Sequence, residues 1–404
     1  MTDLAGAAWL TSGAVARLLA VLNGNGEEAR VVGGAVRNAL LGVSVGEVDL
    51  ATTAVPEEVV RRVEAAGFKA VPTGIEHGTV TVVIDGTALE VTTLRRDVET
   101  DGRHAKVAFG RDWKDDAQRR DFTINALSAS PDGTIHDYTG GRADLERRKV
   151  RFIGDAKTRI AEDYLRILRF FRFHAAYGEN GLDPEGLKAC IESRAGLTQL
   201  SRERVRMEFV KLLVARGAEP VLQAMADGGF LLIALNSVSN VVHFARMVAA
   251  EDDAGLPADA MRRLAALAVT IMEDAERLSD KLRLSNAESA RLISMVECWR
   301  TLTSTSDGRE LLYRRGPEKF ADAVLLAWTR ASDSDAQWKE LAALPKHWTA
   351  PHFPIKAADL MALNIAKGPK LGAALGRAER AWIAAGFPDD ESALAKIAAE
   401  AAIA

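Results

Sequence analysis

Residues 30–52 read Arg30-Val31-Val32-Gly33-Gly34-Ala35-Val36-Arg37-Asn38-Ala39-Leu40-Leu41-Gly42-Val43-Ser44-Val45-Gly46-Glu47-Val48-Asp49-Leu50-Ala51-Thr52, and their order decides the fold of the N-terminal part. A short β-branched run enters two glycines, and a helical segment from Ala35 to Leu41 follows. Gly42 stands where a left-handed residue ends a helix. Glu47 to Thr52 then reads as a second strand. The period of two along a strand sends Glu47 and Asp49 to one face. Glu90, in a strand expected from Ala88 to Leu94, has the alternation to join them. That strand is expected to form a hairpin with Thr79 to Ile84 across Asp85-Gly86, a pair favoured in tight turns. Carboxylates crowded on one face repel, and a divalent cation relieves the repulsion. Oxygen ligation without His or Cys points to Mg²⁺ or Mn²⁺ rather than zinc.

Outward from this stretch, residues 29–138 alternate β-branched runs with helical segments, so a mixed α and β domain is expected over residues 1–150. After a strand-like Lys149 to Gly154, the chain is rich in Ala, Leu, Arg and Glu at helical spacing and reads as all helix. At 404 residues, 48% apolar and 27% charged, the composition is that of a globular chain of two or more domains. It excludes disordered, collagenous and membrane classes. No basic leader follows Met1 and no apolar run of about 18 residues occurs, so neither export nor membrane insertion is expected. Cys190 and Cys298 are too few for a disulfide framework, which fits a cytoplasmic setting. The formal net charge of −4 gives no overall sign of nucleic-acid binding. Between Arg142 and Arg172, however, ten basic residues face five acids, a local surplus suited to RNA phosphates.

Gly33-Gly34 at a strand-to-helix junction can bring backbone amides to a phosphate, and Arg37 stands one turn into the helix. Neither the GxxxxGK[ST] nor the GxGxxG pattern is present, which disfavours an ordinary P-loop or dinucleotide fold. What remains is a phosphate cradle followed by a strand with two acids, the arrangement nucleotidyl transfer requires. At these residues the chain resembles the class II CCA tRNA nucleotidyltransferases and their relatives the bacterial poly(A) polymerases, within the polymerase β-like nucleotidyltransferase superfamily. The resemblance continues through Glu90-Val91-Thr92-Thr93-Leu94-Arg95, Arg119-Arg120-Asp121-Phe122-Thr123-Ile124-Asn125-Ala126, Glu162-Asp163-Tyr164-Leu165-Arg166-Ile167-Leu168-Arg169 and Glu203-Arg204-Val205. It spans residues 29 to 215. The family usually has Asp where this chain has Asn38 and Glu47.

The resemblance implies an α+β chain, with a nucleotidyltransferase head (1–150), a helical neck that reads the base and touches RNA (151–216) and a helical body and tail that bind tRNA (217–404). It implies two Mg²⁺ ions, for which Mn²⁺ can substitute, held by Glu47 and Asp49, with Glu90 helping to activate an RNA 3′-hydroxyl. Gly33, Gly34 and Arg37 would hold the triphosphate, Asp121 a ribose hydroxyl, and Arg120, Asn125, Arg169 and Arg204 complete the nucleotide site. Asp163 and Arg166, three apart on an expected helix, would share one face. One acceptor beside one donor matches the amine and ring nitrogen of cytosine and adenine and mismatches uracil and guanine. The activity implied is addition of CCA to tRNA from CTP and ATP, with no membrane and no protein partner. The alternatives are a poly(A) polymerase, a CC- or A-adding partial enzyme and, from another class, an RNA-binding protein whose catalytic centre has lapsed. The polar stretch Arg96 to Gly110 reads as a mobile loop.

Overall fold

The computed structural model describes residues 4–75, 78–99 and 106–403. The strands are β1 (Ala29–Val32), β2 (Asp49–Thr52), β3 (Lys69–Gly74), β4 (Thr79–Ile84), β5 (Thr87–Thr93), β6 (Arg95–Glu99), β7 (Lys106–Phe109), β8 (Ser128–Ala129) and β9 (Ile135–His136). Seven of them form one mixed sheet in the order β3-β4-β5-β2-β1-β8-β9, and β6 pairs with β7 alone. β1 is buried along its whole length, so its apolar run needs no alternation. β4 alternates, with Val80, Val82 and Ile84 inside. Asp85 and Gly86 both take positive φ, 49° and 80°, which is the turn geometry their residue types favour between β4 and β5.

The first ten helices are α1 (Ala8–Thr11), α2 (Gly13–Leu22), α3 (Gly34–Leu40), α4 (Pro56–Ala65), α5 (Trp113–Gln118), α6 (Gly141–Glu146), α7 (Ala156–Glu162), α8 (Leu165–Tyr177), α9 (Pro184–Ser193) and α10 (Arg202–Leu213). They are followed by α11 (Ala218–Asp227), α12 (Phe230–Leu235), α13 (Val241–Ala254), α14 (Ala260–Ala268), α15 (Met272–Lys281), α16 (Asn286–Trp299) and α17 (Arg309–Trp328). Five further helices complete the chain: α18 (Asp335–Ala342), α19 (Leu344–His347), α20 (Ala357–Ala362), α21 (Pro369–Ala384) and α22 (Glu391–Ile403). Gly42, at φ 67°, ends the turn after α3 as expected. Among the described residues no helix is long and apolar enough to cross a membrane.

Three expectations about elements are corrected. The second strand begins at Asp49, not Glu47, because its partner β1 ends at Val32, opposite Asp49, where Gly33 turns the chain away. Lys149 to Gly154 contributes a single bridge, Phe152 opposite Phe122, rather than a strand. The stretch Arg96 to Gly110 contains the antiparallel β6–β7 ladder, while residues 100–105 of it lie outside the described residues.

The chain forms two compact units, Met1–Val241 with Arg277–Leu284, and Val242–Glu276 with Ser285–Ala404. Residues 1–150 and 151–216 thus lie in one unit. An aromatic cluster shows why: Phe122 packs on Phe152 at 4.9 Å and on Phe173 of α8 at 5.4 Å, and Phe152 stacks on Phe170 at 5.3 Å. The second unit has its own apolar centre around Trp382, Leu360 and Ala378. It also holds a buried ionic network, in which Glu251 accepts from Arg262 at 2.9 Å and from Arg263 at 2.8 Å.

Candidate functional site

Gly33 precedes α3 at φ 68° and ψ −119°, a conformation that costs an L side chain heavily. Its N–H donates to the Leu127 carbonyl at 2.9 Å, tying the turn to the sheet. With no Cβ on Gly33 or Gly34, the floor between them stays open beside the guanidinium groups of Arg120 and Arg37. That floor belongs to a cleft of about 520 Å³ lined by Gly33, Gly34, Arg37, Glu47, Asp49, Arg119, Arg120, Asp121, Asn125, Asp163, Arg166, Arg169, Arg172 and Phe173. Eleven of the expected site residues meet there. Glu90 and Arg204 are not in its wall, but each adjoins it: Glu90 is the register partner of Asp49 across parallel β2 and β5, and Arg204 bonds Asp163.

The acidic side of the cleft consists of Glu47, which stands on coil just before the strand, and Asp49 at the strand's first position. The period-two argument therefore does not hold for Glu47, yet both side chains reach the same cleft. The protein surrounding Asp49, with like charge from Glu90 and Glu47 and opposed by Arg120, pushes its carboxyl above the usual range. A cation would relieve that repulsion, and two carboxylates are the donor set a hard ion takes. Among the described residues no three His, Cys, Asp or Glu side chains form a metal-binding group.

The basic side is organised by buried acids. Asp116 takes Arg119 at 2.6 Å and Arg120 at 3.1 Å, so both arginines are anchored by ion pairs as they enter the cleft. Asp121, 8% exposed, accepts from the Phe122 N–H at 2.8 Å, from Asn125 at 3.1 Å and from Arg169 at 2.6 Å. Burial opposes its ionisation, but Arg169 and the two other donors hold its carboxyl below the usual range. Glu208 of α10 in turn holds Arg169 and Arg172, the latter through a short contact to its Nε. Arg37 is only 6% exposed, and its guanidinium lies over the rings of Tyr177 at 4.0 Å and Phe173 at 5.3 Å. Burial pulls its pKa down from the usual arginine value.

Asp163 and Arg166 do not share a helix. α7 stops at Glu162, Asp163 is extended at φ −159°, and α8 begins at Leu165. One Asp163 oxygen accepts from the Leu165 N–H at 3.0 Å, a capping bond, and the other from Arg204 at 2.6 Å. Arg166 donates to the Arg159 carbonyl at 2.8 Å and makes a short pair with Glu162. The two side chains face one cleft without pairing with each other. Of the ten basic residues between Arg142 and Arg172, at least eight are in ion pairs, so most of that surplus is already balanced within the protein.

Sequence reasoning placed Arg172 only in the basic run offered to RNA phosphates, and missed Phe173, Tyr177, Asp116 and Glu208. Arg172 and Phe173 follow Arg169 by three and four residues on α8, and Asp116 precedes Arg119 and Arg120 by three and four, so helical spacing could have found them. Glu208 likewise follows Arg204 by four on α10, and Tyr177 follows Phe173 by four on α8, so the same spacing marks their faces.

Residues 29–151 match the family described as the Poly A polymerase head domain, and residues 181–239 the one described as a probable RNA and SrmB-binding site of polymerase A. The CCA tRNA nucleotidyltransferase 1, mitochondrial, of Mus musculus is 35% identical over 373 residues, covering 89% of this chain and 84% of that protein. The chain belongs to the CCA tRNA nucleotidyltransferase and poly(A) polymerase family. Within that family, the CCA-adding enzyme of Limosilactobacillus fermentum is 32% identical over 93% of both chains. The crystal structure of the Bacillus stearothermophilus CCA-adding enzyme in complex with CTP superposes with a TM-score of 0.73 at 27% identity over 95% of both chains. The Thermotoga maritima CCA-adding enzyme complexed with tRNA, at 18% identity and a TM-score of 0.72, shares the fold over 99% of this chain and 98% of that one.

Proposed function

We propose that the protein adds the CCA end to tRNA from CTP and ATP, transferring a nucleotide to the RNA 3′-hydroxyl with release of pyrophosphate. The observation that carries this is the single cleft in which two carboxylates, a glycine turn and the Asp163 and Arg166 side chains converge. Two Mg²⁺ ions, or Mn²⁺ in their place, would supply charge neutralisation and alignment of the triphosphate with the attacking hydroxyl. Glu47 and Asp49 would hold them, and Glu90, beside Asp49, would orient the 3′-hydroxyl. Gly33 and Gly34 leave room for the triphosphate, and Arg37, Arg120 and Arg169 place positive charge around it.

Asp121 acts through Arg169 in this reading, because its oxygens are already taken by Arg169, Asn125 and the Phe122 N–H. Each oxygen of Asp163 has a further lone pair for an exocyclic amine. Arg166, beside it, donates to the ring nitrogen. Uracil and guanine would leave both groups facing their own kind, a mismatch worth several kcal/mol. Residues 1–150 would then be the catalytic head, 151–216 the base-reading neck and 217–404 the tRNA-binding body and tail. The two cysteines are free and buried, which fits a reducing compartment such as the cytoplasm.

The test is incubation of tRNA lacking its 3′ end with each labelled nucleotide in turn and in combination. Addition of two C and then one A, with UTP and GTP refused, is expected. The match to a poly(A) polymerase head favours one second reading, and long A tails without C would support it instead. No incorporation under any metal would leave an RNA-binding protein with a lapsed centre.

A further inference from the structure

Phe173 stands in the cleft wall on α8 and is only 5% exposed, so the protein fixes its ring. Phe122 meets the ring edge-on at 5.4 Å, and Tyr177, one turn further along α8, stacks on it at 6.0 Å. Three guanidinium groups gather around this one ring: Arg172 at 4.1 Å from its centroid, Arg169 at 5.1 Å and Arg37 at 5.3 Å. Arg169 and Arg172 belong to α8 with Phe173, whereas Arg37 comes from α3. The ring is thus the place where two helices bring their positive charges together, and all three arginines line the cleft.

Like charges gathered this closely repel. Acids answer part of the repulsion, since Asp121 takes Arg169 at 2.6 Å and Glu208 takes Arg172 through a short contact and Arg169 at 3.5 Å. Burial pulls the Arg37 pKa down, and the like charge of Arg172 adds to that pull. The group common to all three cations is the Phe173 ring, whose faces are electron-rich and attract a guanidinium laid against them. A guanidinium held in that way keeps its N–H groups for acceptors at its edge. Arginines gathered in advance also spare a ligand the entropy of ordering them, which is substantial for so long a side chain. We propose that Phe173 is a positioning residue for the transfer reaction: its ring holds Arg37, Arg169 and Arg172 together as one basic wall against which the triphosphate is aligned. The inference rests on the reading of the cleft as a triphosphate site, and it adds Arg172 to the residues that face the triphosphate.

The experiment uses the full-length chain and replaces Phe173 with mono-, di- and trifluorophenylalanine, which keep the shape of the ring while draining its negative faces step by step. Phe173→Leu is made beside them. CTP binding is measured by calorimetry without RNA, with inorganic tripolyphosphate as competitor, together with kcat, KM for CTP, KM for tRNA and the denaturation midpoint. CTP affinity is expected to fall with each fluorine, by on the order of tenfold at three, the factor that about 1.4 kcal/mol makes and within the range of a desolvated cation–π contact. KM for CTP should rise in parallel, while KM for tRNA and the midpoint stay at their native values. Phe173→Leu should lose at least as much CTP affinity; if it does not fold, the fluorinated series decides alone. Equal CTP affinity across that series would overturn the proposal, because the ring would then supply shape and not charge. A loss of affinity that follows a lowered midpoint would overturn it as well, in favour of a packing role. Failure of tripolyphosphate to displace CTP from the native protein would instead defeat the reading of the cleft as a triphosphate site, whereas displacement there beside a flat fluorinated series would defeat this inference alone.

Discussion

The Asp163 carboxylate takes the Leu165 N–H at 3.0 Å on one oxygen and Arg204 at 2.6 Å on the other, so it caps a helix while facing the cleft. Its two uses can be separated by substitution. Asp163→Ala is expected to remove the cap, costing about 1 kcal/mol or roughly 2–4 °C in the midpoint of its unit, and to relax the refusal of UTP and GTP. Asp163→Asn should keep the midpoint, since Asn caps as well as Asp, yet still lower CTP and ATP incorporation together through loss of the charge that Arg204 holds in place. Thermal denaturation and single-nucleotide incorporation read the two effects; unchanged discrimination in both variants would remove Asp163 from base choice. Asp49→Ala, by contrast, should leave folding and tRNA binding intact while nucleotide transfer falls by several orders of magnitude, measured under saturating CTP. The residues proposed to do the chemistry were legible because several blocks stand in the family's order; an acid pair or a Gly-Gly alone has common structural uses and would not have marked them. Their holders were less so: Glu208 of α10 meets Arg172 of α8, and Tyr177 of α8 meets Arg37 of α3, and spacing within one helix does not show which residue of another helix it will meet.

At the scale of elements, what was legible is what steric rules force on particular residues. Asp85-Gly86 and Gly42 sit at positive φ because turns and helix ends need it there. Where elements stop was harder to read, since stopping depends on partners. Alternation extended β2 back to Glu47, but β1 has only four residues and could not pair so far. Helical spacing ran through Asp163, but the chain breaks there, and the Tyr164 ring packs against Gly196. A Cβ at Gly196 would come within 2.1 Å of that ring. Gly196 belongs to the 3₁₀ segment Arg194–Gln199, so a glycine distant in sequence makes room for the ring at the α7–α8 break. Gly196→Ala is accordingly expected to destabilise the unit by about 1–3 kcal/mol through overpacking, read as a lowered denaturation midpoint. Gly196→Ala combined with Tyr164→Ala should be no less stable than Tyr164→Ala alone. A Gly196→Ala protein as stable as the native one would show that the ring has another seat.

For the whole molecule, composition announced more than one domain, but the texture change near residue 150 is not where the compact units part. The chain passes between them at Val241, Glu276 and Leu284, because the phenylalanines of α8 pack against the head and the later helices have a centre of their own. A change of secondary structure and a change of core are different events, and only the first is written in local periodicity. The division has a thermodynamic consequence. Every residue proposed to touch nucleotide, from Gly33 to Arg204, falls in the first unit, while the Glu251, Arg262 and Arg263 network and the Trp382 centre belong to the second. Units with separate cores need not unfold as one two-state transition. Calorimetry of the native protein is therefore expected to show two transitions. CTP with Mg²⁺ at a hundredfold excess over its Kd should stabilise only the first unit, by about 2.7 kcal/mol, which raises that midpoint by roughly 5–10 °C and leaves the other in place. Glu251→Ala should do the reverse, lowering only the transition that CTP does not move, because it removes the buried carboxylate that Arg262 and Arg263 share, at a cost of about 3–5 kcal/mol. A single transition that CTP raises and Glu251→Ala lowers as a whole would mean that the two units share one cooperative fold, and that the nucleotide site draws its stability from both.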